Sequence, residues 1–487
     1  MHVLIEAVGS AGDVHPFLAI GQALVARGHE VDIVTSAYFA ERVAQAGLGF
    51  IPVGTLEDYQ RAIAQTDLWH PRRAFQAVWR ESKDQILPVF ELLQQNIRRD
   101  TVLVGSTLAW SVRFAQERLS LPAATVHLSP SCVFSADAPP RLPGLGHWLE
   151  YLPVGWRRMF LNWMERKFLD GVVRDDLNVM RGQIGLSPVE KVFSRWQHSP
   201  QSVICAWPEW FCAPQADWPV NSITTGFPLW QAVSNPPAAD IEPEVPSFPP
   251  ALRTAKLHDA PLARVRERGW GRGLERESSG VDTGSLTPLD SRFRGNDGLI
   301  ERHVNKLPRT LEEFLTAGEA PIGFTPGSAM AFGKPFFERA LSACEQLGRR
   351  AVFITPFDEQ MPWHGGTMPA FVHHARYVPF DALVPRLAAF VHHGGIGTTA
   401  QTLHAGVPQL ITPFAHDQFD NAARVARLGC GAQLAATASA DKWAAVLGRL
   451  LDDEGVSAAC QRVRASMADE AGVLAQIVAR IEALHQN

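Results

Sequence analysis

One segment, Phe390–Asn421, constrains the fold of this chain more than any other; it reads FVHHGGIGTTAQTLHAGVPQLITPFAHDQFDN. The apolar run 387–391 predicts a buried strand of a parallel sheet, and a glycine-rich turn follows it. Residues 396–405 predict a helix, since a glycine ends the pattern and a proline blocks its continuation. The next strand, 409–412, leads through a polar turn into a second helix. This order predicts a parallel α/β sheet.

The two turns of this segment carry groups that suit a sugar nucleotide. A helix that opens after glycines presents unpaired N–H groups and the positive end of its dipole, which favour a phosphate. The backbone and side-chain donors of the first turn are Gly394, Gly395, Gly397, His393, Thr398 and Thr399. In the second turn, Asp417 and Gln418 follow the next strand, where ligands of open α/β sheets bind. A carboxylate beside an amide suits the hydroxyls of a sugar.

The N-terminal part predicts another βαβ unit. A strand at 2–8 is followed by the loop GSAGDVHP, a helix that ends near Gly28, and a strand at 30–35. Further strand-like runs are 49–53, 101–104, 123–128 and 203–206, and helical patterns separate them, notably over 72–98 and 110–119. A second parallel sheet is expected here.

Composition limits the class of protein. A chain of 487 residues exceeds one ordinary domain. The net charge of −5 gives no electrostatic basis for binding nucleic acid. The six cysteines are scattered, which fits a reducing compartment and predicts no structural zinc. We find no signal-peptide pattern and no apolar run of the ~18 residues that a membrane span needs. We therefore expect a cytoplasmic protein, which could also contact the inner face of the membrane.

The motifs HHGG-x-GTT, AGVPQ and DQ-x-x-NA, at this spacing, resemble the donor signature of family 1 glycosyltransferases. The similarity is to the bacterial branch that glycosylates macrolides, glycopeptides, sterols and lipids. It implies the GT-B fold, in which two Rossmann-like parallel-sheet domains face a cleft. It also implies an NDP-sugar donor, with the diphosphate at Ser328, His393, Gly395, Gly397 and Thr398. The nucleobase is then expected at Tyr377 and Val378, and the donor sugar at Asp417 and Gln418.

The loop GSAGDVHP resembles the acceptor loop of the same family, which carries the catalytic base. The resemblance implies that Asp13 removes the proton of the acceptor hydroxyl, and His15 is the competing candidate. Alternatively, Asp13 only caps a helix that Pro16 starts. The family implies an inverting transfer that needs no metal and no cofactor, because the NDP-sugar is a co-substrate.

A narrower resemblance lies in HSPQSVICAWPEWFCAPQADWP, which is similar to the rhamnosyltransferase chain that adds rhamnose to hydroxyalkanoate lipids. It implies dTDP-rhamnose or UDP-glucose as donor and a hydrophobic acceptor with a hydroxyl, such as a hydroxy-fatty-acid lipid. A sterol, macrolide or other natural product remains the alternative acceptor. An NDP-sugar epimerase and an inactive sugar-nucleotide-binding protein also stay open.

The resemblance implies an acceptor-binding domain (1–226), a hinge (227–252), an insertion (253–306) and a donor-binding domain (307–487). The last strand of the first domain is expected to run from 225 into the hinge, and the last helix, expected at 470–485, crosses back to the first domain. The insertion is rich in Arg and Gly and lacks periodicity, so we expect disorder. Residues 147–170 mix tryptophans with arginines. This mixture is typical of three situations: peripheral contact with a membrane, binding of a hydrophobic acceptor, or an ordinary amphipathic helix that covers the acceptor pocket.

Overall fold

The computed structural model describes residues 1–142, 148–230, 307–467 and 469–486, which form two parallel sheets. The strands of the first sheet are β1 (His2–Glu6), β2 (Glu30–Ser36), β3 (Gly49–Val53), β4 (Thr101–Ser106), β5 (Ala123–His127), β6 (Val203–Cys205) and β7 (Ser222–Thr224). Those of the second are β8 (Ile322–Thr325), β9 (Ala351–Ile354), β10 (Val372–Ala375), β11 (Ala389–His392), β12 (Gln409–Ile411) and β13 (Gly431–Gln433). Their spatial orders are 3-2-1-4-5-6-7 and 10-9-8-11-12-13.

Helices connect the strands of both sheets. In the first half they are α1 (Ala11–Ala26), α2 (Ala40–Gln45), α3 (Leu56–Ile63), α4 (Ala74–Ser82), α5 (Ile86–Asn96), α6 (Trp110–Leu119), α7 (Val154–Met164) and α8 (Asp170–Gln183). In the second half they are α9 (Arg309–Thr316), α10 (Lys334–Leu347), α11 (Phe380–Leu383), α12 (Ile396–Ala405), α13 (Gln418–Arg427), α14 (Ala440–Asp452), α15 (Glu454–Ser466) and α16 (Glu470–His485). None of the helices in the described ranges is long and apolar enough to cross a bilayer.

The last helix packs against the first sheet. Ile477 and Ile481 of α16 are fully buried in the same core cluster as Ile5 of β1. At the edge of this contact, Arg480 Nε donates to Ser202 Oγ at 2.9 Å. The C-terminal helix therefore joins the core of the N-terminal half, which couples the positions of the two sheets.

The structure corrects several expected element boundaries. Helix α1 begins at Ala11, five residues before Pro16, because Ser10 stands at its N-cap. The last strand of the first sheet precedes Thr225, although the sequence predicted it to run from there into the hinge. The helical pattern over 72–98 is divided into α4 and α5 by a short 3₁₀ turn. Most of the predicted hinge, and the whole predicted insertion, fall on 231–306 and lie outside the described residues.

The carboxyl edges of the two sheets face each other. A Cβ built on Gly397, at the start of α12, would lie 3.4 Å from the Cα of Gly12, at the start of α1. The loops that follow β1, β5, β11 and β12 therefore meet in one cleft. Since ligands of open parallel sheets bind at this edge, the cleft is where the chemistry is expected.

Candidate active site

The loop after β1 holds the carboxyl group of Asp13 in place. Its Oδ2 accepts hydrogen bonds from Ser10 N at 2.8 Å and Ser10 Oγ at 3.0 Å. Gly9 has φ +135°, and a Cβ there would collide with this carboxyl group. The expected capping role of Asp13 is therefore present at the first turn of α1. The same contacts orient the carboxyl group on the wall of the cleft.

The turn after β11 leaves donors without partners. Helix α12 starts at Ile396 with Gly395 at its N-cap, and no side chain of the described residues caps it. The first-turn amides, including those of Gly397 and Thr398, thus keep their hydrogen-bonding capacity. The hydroxyl of Thr399, one residue on, is buried and also lacks a partner in the described part of the chain. This arrangement suits an anion.

His393 is fitted between two glycine turns. A Cβ on Gly327 would lie 2.9 Å from His393 Cε1, and one on Gly395 would lie 2.5 Å from His393 Nε2. Burial, with a smaller effect of the adjacent His392, lowers the pKa of His393 to about 3. The ring is therefore neutral. Its Nδ1 is buried and has no hydrogen-bond partner among the described residues. The imidazole of His393 and the first-turn amides of α12 can therefore donate hydrogen bonds to the same ligand.

Three other predicted residues line the same edge of the second sheet. Ser328 follows Gly327 and is exposed. Tyr377 lies after β10 and exposes 38% of its surface, whereas Val378 is buried. The side chain of Val378 packs in the core of the second half and offers no surface to a ligand. The guanidinium of Arg42, from the first domain, lies 4.5 Å from the Tyr377 ring centroid, so one face of this ring is covered by a cation and a nucleobase would stack on the other.

The turn after β12 contains Asp417 and Gln418. Asp417 Oδ2 accepts a hydrogen bond from Asn421 Nδ2 at 2.8 Å. Gln418 Oε1 accepts from the amides of Phe414 and Ala415 at 2.8 and 3.1 Å. The side-chain carbonyl of Gln418 thus stabilises the turn itself. Only the side-chain NH₂ group remains to bind a ligand, and the sequence alone did not reveal this division between the two ends of the amide.

Asn421 was absent from the predicted site and joins its parts. Its Nδ2 also donates to Gly394 O at 2.9 Å, and its Oδ1 accepts from Ser129 Oγ of the first domain at 3.2 Å. One side chain thus links both turns to the opposite wall. The DQ-x-x-N motif could have indicated this role. Asp417 and Asn421 are four residues apart, and residues at that spacing lie on the same face of a helix.

The carboxyl groups of Asp13 and Asp417 are coupled across the cleft. Burial raises the pKa of both, and the negative charge of Asp13 adds to the shift of Asp417, whose pKa reaches about 7. Hydrogen bonds from Asn421 and Ser129 oppose part of that shift. The pKa of the nearby Cys132 thiol is raised to about 12, by burial first and by Asp417 second. The carboxyl groups of Asp13 and Asp417 thus lie within electrostatic reach of each other.

His15, the competing candidate for the catalytic base, packs among aromatic rings. Its ring centroid is 4.5 Å from that of Trp230 and 6.5 Å from that of Phe39. Burial, together with the charge of Arg42, lowers the pKa of His15 to about 3. An imidazole with this pKa is a weak proton acceptor at neutral pH.

The described residues contain no group of three or more His, Cys, Asp or Glu side chains that could hold a metal ion.

Comparison with known proteins gives matches in both domains. Residues 3–136 match the model of the glycosyltransferase family 28 N-terminal domain. Residues 345–484 match the C-terminal domain of erythromycin biosynthesis protein CIII-like proteins. O-mycaminosyltylonolide 6-deoxyallosyltransferase of Streptomyces fradiae is 26% identical over 503 residues, which cover 97% of this chain and 95% of the relative. Vancomycin aglycone glucosyltransferase of Amycolatopsis orientalis is 26% identical, and the alignment covers 88% of this chain and 85% of the relative.

Solved structures with the same fold extend over the whole chain. The glycosyltransferase of kitacinnamycin superposes with a TM-score of 0.62 at 19% identity, covering 99% of this chain and 98% of that one. Spinosyn forosaminyltransferase gives a TM-score of 0.59 at 19% identity, with full coverage of both chains. These matches confirm the predicted fold. The chain is a glycosyltransferase with the GT-B fold, and its two domains match a family 28 N-terminal domain and an erythromycin CIII-like C-terminal domain.

Proposed function

We propose that this enzyme transfers a hexosyl group, with inversion, from a nucleoside diphosphate sugar to a hydroxyl of a hydrophobic acceptor. One observation carries the proposal: the loop that holds Asp13 lies against the uncapped start of α12, where a Cβ on Gly397 would be 3.4 Å from the Cα of Gly12. The acceptor domain is then 1–226 and the donor domain 307–487. Transfer assays with dTDP-rhamnose and UDP-glucose test it, with product formation as the readout.

The donor is held by the second domain. Its diphosphate contacts the first-turn amides of α12, the hydroxyl of Thr398, the Ser328 turn and the neutral ring of His393. The nucleobase stacks on Tyr377 and pairs with the backbone of Val378. Solved structures of similar fold, including that of a spinosyn rhamnosyltransferase, contain thymidine diphosphate, which favours dTDP over UDP as the nucleotide of the donor.

The sugar of the donor lies at the second turn, where the Asp417 carboxylate accepts hydrogen bonds from its hydroxyls. The Gln418 NH₂ group donates to the same sugar. Bound in this way, the anomeric carbon points toward the loop that carries Asp13. The acceptor oxygen enters from that side, at the near-attack distance of about 3–3.5 Å.

Transfer is a single displacement. The acceptor oxygen forms a bond to the anomeric carbon as Asp13 takes its proton, and the bond from that carbon to the diphosphate oxygen breaks. The electron pair leaves with the nucleoside diphosphate. The amides of α12 and the imidazole of His393 stabilise this charge, so the step needs no metal ion. The raised pKa of Asp13 makes it a better base than an ordinary aspartate.

The acceptor we propose is a hydroxy-fatty-acid lipid, because the segment at 198–219 resembles the rhamnosyltransferase chain of hydroxyalkanoate lipids. The donor is then dTDP-rhamnose, with UDP-glucose second. Relatives such as sterol 3-beta-glucosyltransferase of Aspergillus fumigatus support a sterol or natural-product acceptor as the second candidate.

Activity should respond to the length of a lipid acceptor. Burial of an acyl chain contributes about 0.8 kcal/mol per CH₂, so each added pair of methylenes should lower KM severalfold until the pocket is full. The measurement is transfer to a series of hydroxyalkanoates. Flat activity along this series, with good turnover of a sterol or macrolide, would replace the lipid by the second candidate.

Donor binding should depend on pH through Asp417. Its raised pKa of about 7 means that the carboxylate gains a proton as pH falls below 7, and it then accepts fewer hydrogen bonds from the sugar. The Kd of the NDP-sugar should rise below pH 7, while that of the NDP alone should change little. In Asp13→Asn the repulsion is absent, so this transition should move to lower pH. Titration calorimetry from pH 5 to 8 checks both. An unchanged transition in the variant would show that the two carboxyl groups are independent.

A further inference from the structure

An exposed aromatic face covers the outer side of α7 and the π-helical turn that follows it (Glu165–Leu169). Trp156, Met159 and Phe168 expose 63%, 64% and 54% of their surfaces. The members of this aromatic face are Trp148, Tyr151, Trp156, Met159, Trp163 and Phe168. Contiguous exposure of such side chains is uncommon on a protein surface and marks an interaction site.

The exposure is not a consequence of a missing core. Leu161 and Met164 lie on the opposite side of α7 and are buried against Ala136. The helix therefore already has its packing partner within the chain. Trp156, Met159 and Trp163 recur at helical spacing on the outer side, so they form a second apolar stripe.

The rings of this face support one another. Phe160 contacts Trp148 and Trp163 with centroid distances of 5.2 and 5.7 Å, and Trp163 contacts Phe168 at 5.3 Å. These residues and the adjacent helix enclose an open groove of about 900 Å³. The row of rings is held in place before any partner binds, which lowers the entropic cost of docking.

Cations surround the aromatic face. Arg158, Arg166 and Lys167 are exposed, and none of them forms an ion pair with another residue in the described ranges. Two of the neighbouring acids are turned inward, and the exposed Glu190, which lines the same groove, is offset by the exposed Lys191 beside it. Glu165 Oε1 accepts from Ser194 N at 2.7 Å, and Asp170 accepts from the amides of the 191–192 turn at 3.0 and 3.1 Å. This surface is thus locally basic on a chain whose net charge is −5.

We propose that the aromatic face and its three cations dock the enzyme on the surface of an anionic lipid bilayer. Tryptophans and an apolar stripe suit the boundary between headgroups and acyl chains, and flanking Lys and Arg suit anionic headgroups. A second copy of the chain fits less well. A symmetric dimer through this face would place its cations near the same cations of the partner.

Flotation of the full chain with vesicles tests the proposal. Vesicles of phosphatidylcholine with 30% phosphatidylglycerol should bind the enzyme, and binding should weaken as salt is raised. The triple variant Arg158→Ser, Arg166→Ser, Lys167→Ser should lower the partition coefficient ~100-fold, at about fivefold per cation. Its matched control is Arg72→Ser, Arg99→Ser, Arg118→Ser, which removes the same charge from other exposed positions and should bind like wild type.

The apolar part has its own pair of variants. Trp156→Ser with Met159→Ser should reduce binding to the same vesicles by tenfold or more, since both side chains insert into the boundary. Val220→Ser with Met368→Ser removes exposed apolar groups elsewhere and should have no effect. Donor affinity and melting temperature should stay unchanged in all four proteins, which shows that they are folded.

Three outcomes would overturn the proposal: no binding to anionic vesicles, equal binding of wild type and both face variants, or a wild-type dimer in solution that the face variants abolish. The last would assign the face to a second copy. Because the readout is vesicle binding, it does not depend on whether the proposed transfer reaction is correct.

Discussion

Replacing Asp13 with Asn should lower kcat about 10²–10⁴-fold, the typical contribution of a general base. The amide keeps an oxygen that can accept the hydrogen bonds of Ser10, so the loop and the start of α1 should hold their positions. The Kd for the nucleoside diphosphate should stay within about twofold of wild type, because that ligand contacts the other domain. Single-turnover kinetics and calorimetry on the same preparation separate the two quantities.

His15→Ala is the control for this base assignment. The ring of His15 packs on Trp230, so the variant should lose some acceptor affinity or stability and retain most of its kcat. If Asp13→Asn kept near-normal kcat while His15→Ala lost it, the base would be His15.

Replacing His393 with Ala should weaken binding of both the nucleoside diphosphate and the sugar nucleotide, and lower kcat about 10²–10³-fold. The magnitude is that of one preorganised donor to a developing negative charge. The ring fills the space between Gly327 and Gly395, so no other side chain replaces it. Calorimetry with both ligands and a full kinetic analysis measure the effect. His404→Ala, at the far end of the same helix, is the matched control and should leave both affinities unchanged.

Gln418→Glu distinguishes the two turns. Glutamate keeps an oxygen for the amides of Phe414 and Ala415, so the turn stays in place, while the NH₂ group for the sugar is lost. The sugar nucleotide should bind more weakly and the nucleoside diphosphate as before. Equal losses for the nucleoside diphosphate in this variant and in His393→Ala would show that the turns are mapped wrongly.

Elements with strong local signals were predicted at their observed bounds. Helix α12 runs from Ile396 to Ala405 as expected, because glycines bracket it and Pro408 follows. Helices α6 and α16 also match. Strand β13 (GAQ) was missed and β7 (SIT) was expected three residues too late, because neither of these short runs carries an apolar pattern.

The individual candidate residues of the site could be predicted from the sequence, whereas the contacts between them could not. Glycine turns, Asp417 and Asp13 each follow a predicted strand, and parallel sheets place such positions at one edge. The coupling of Asp13 to Asp417 and the bond of Ser129 to Asn421 arise only when two domains meet. Gln418 shows the same limit: its type suggested sugar binding, but only the structure shows its carbonyl occupied within the turn.

The most direct test of the account follows the donor by NMR with and without an acceptor. Incubation with dTDP-rhamnose or UDP-glucose and a hydroxyalkanoate should release nucleoside diphosphate and form a glycoside of inverted anomeric configuration. Without the acceptor, the donor should persist. Isomerisation of the sugar nucleotide without acceptor would indicate an epimerase. Donor binding without turnover across lipid, sterol and macrolide acceptors would contradict the proposed transfer.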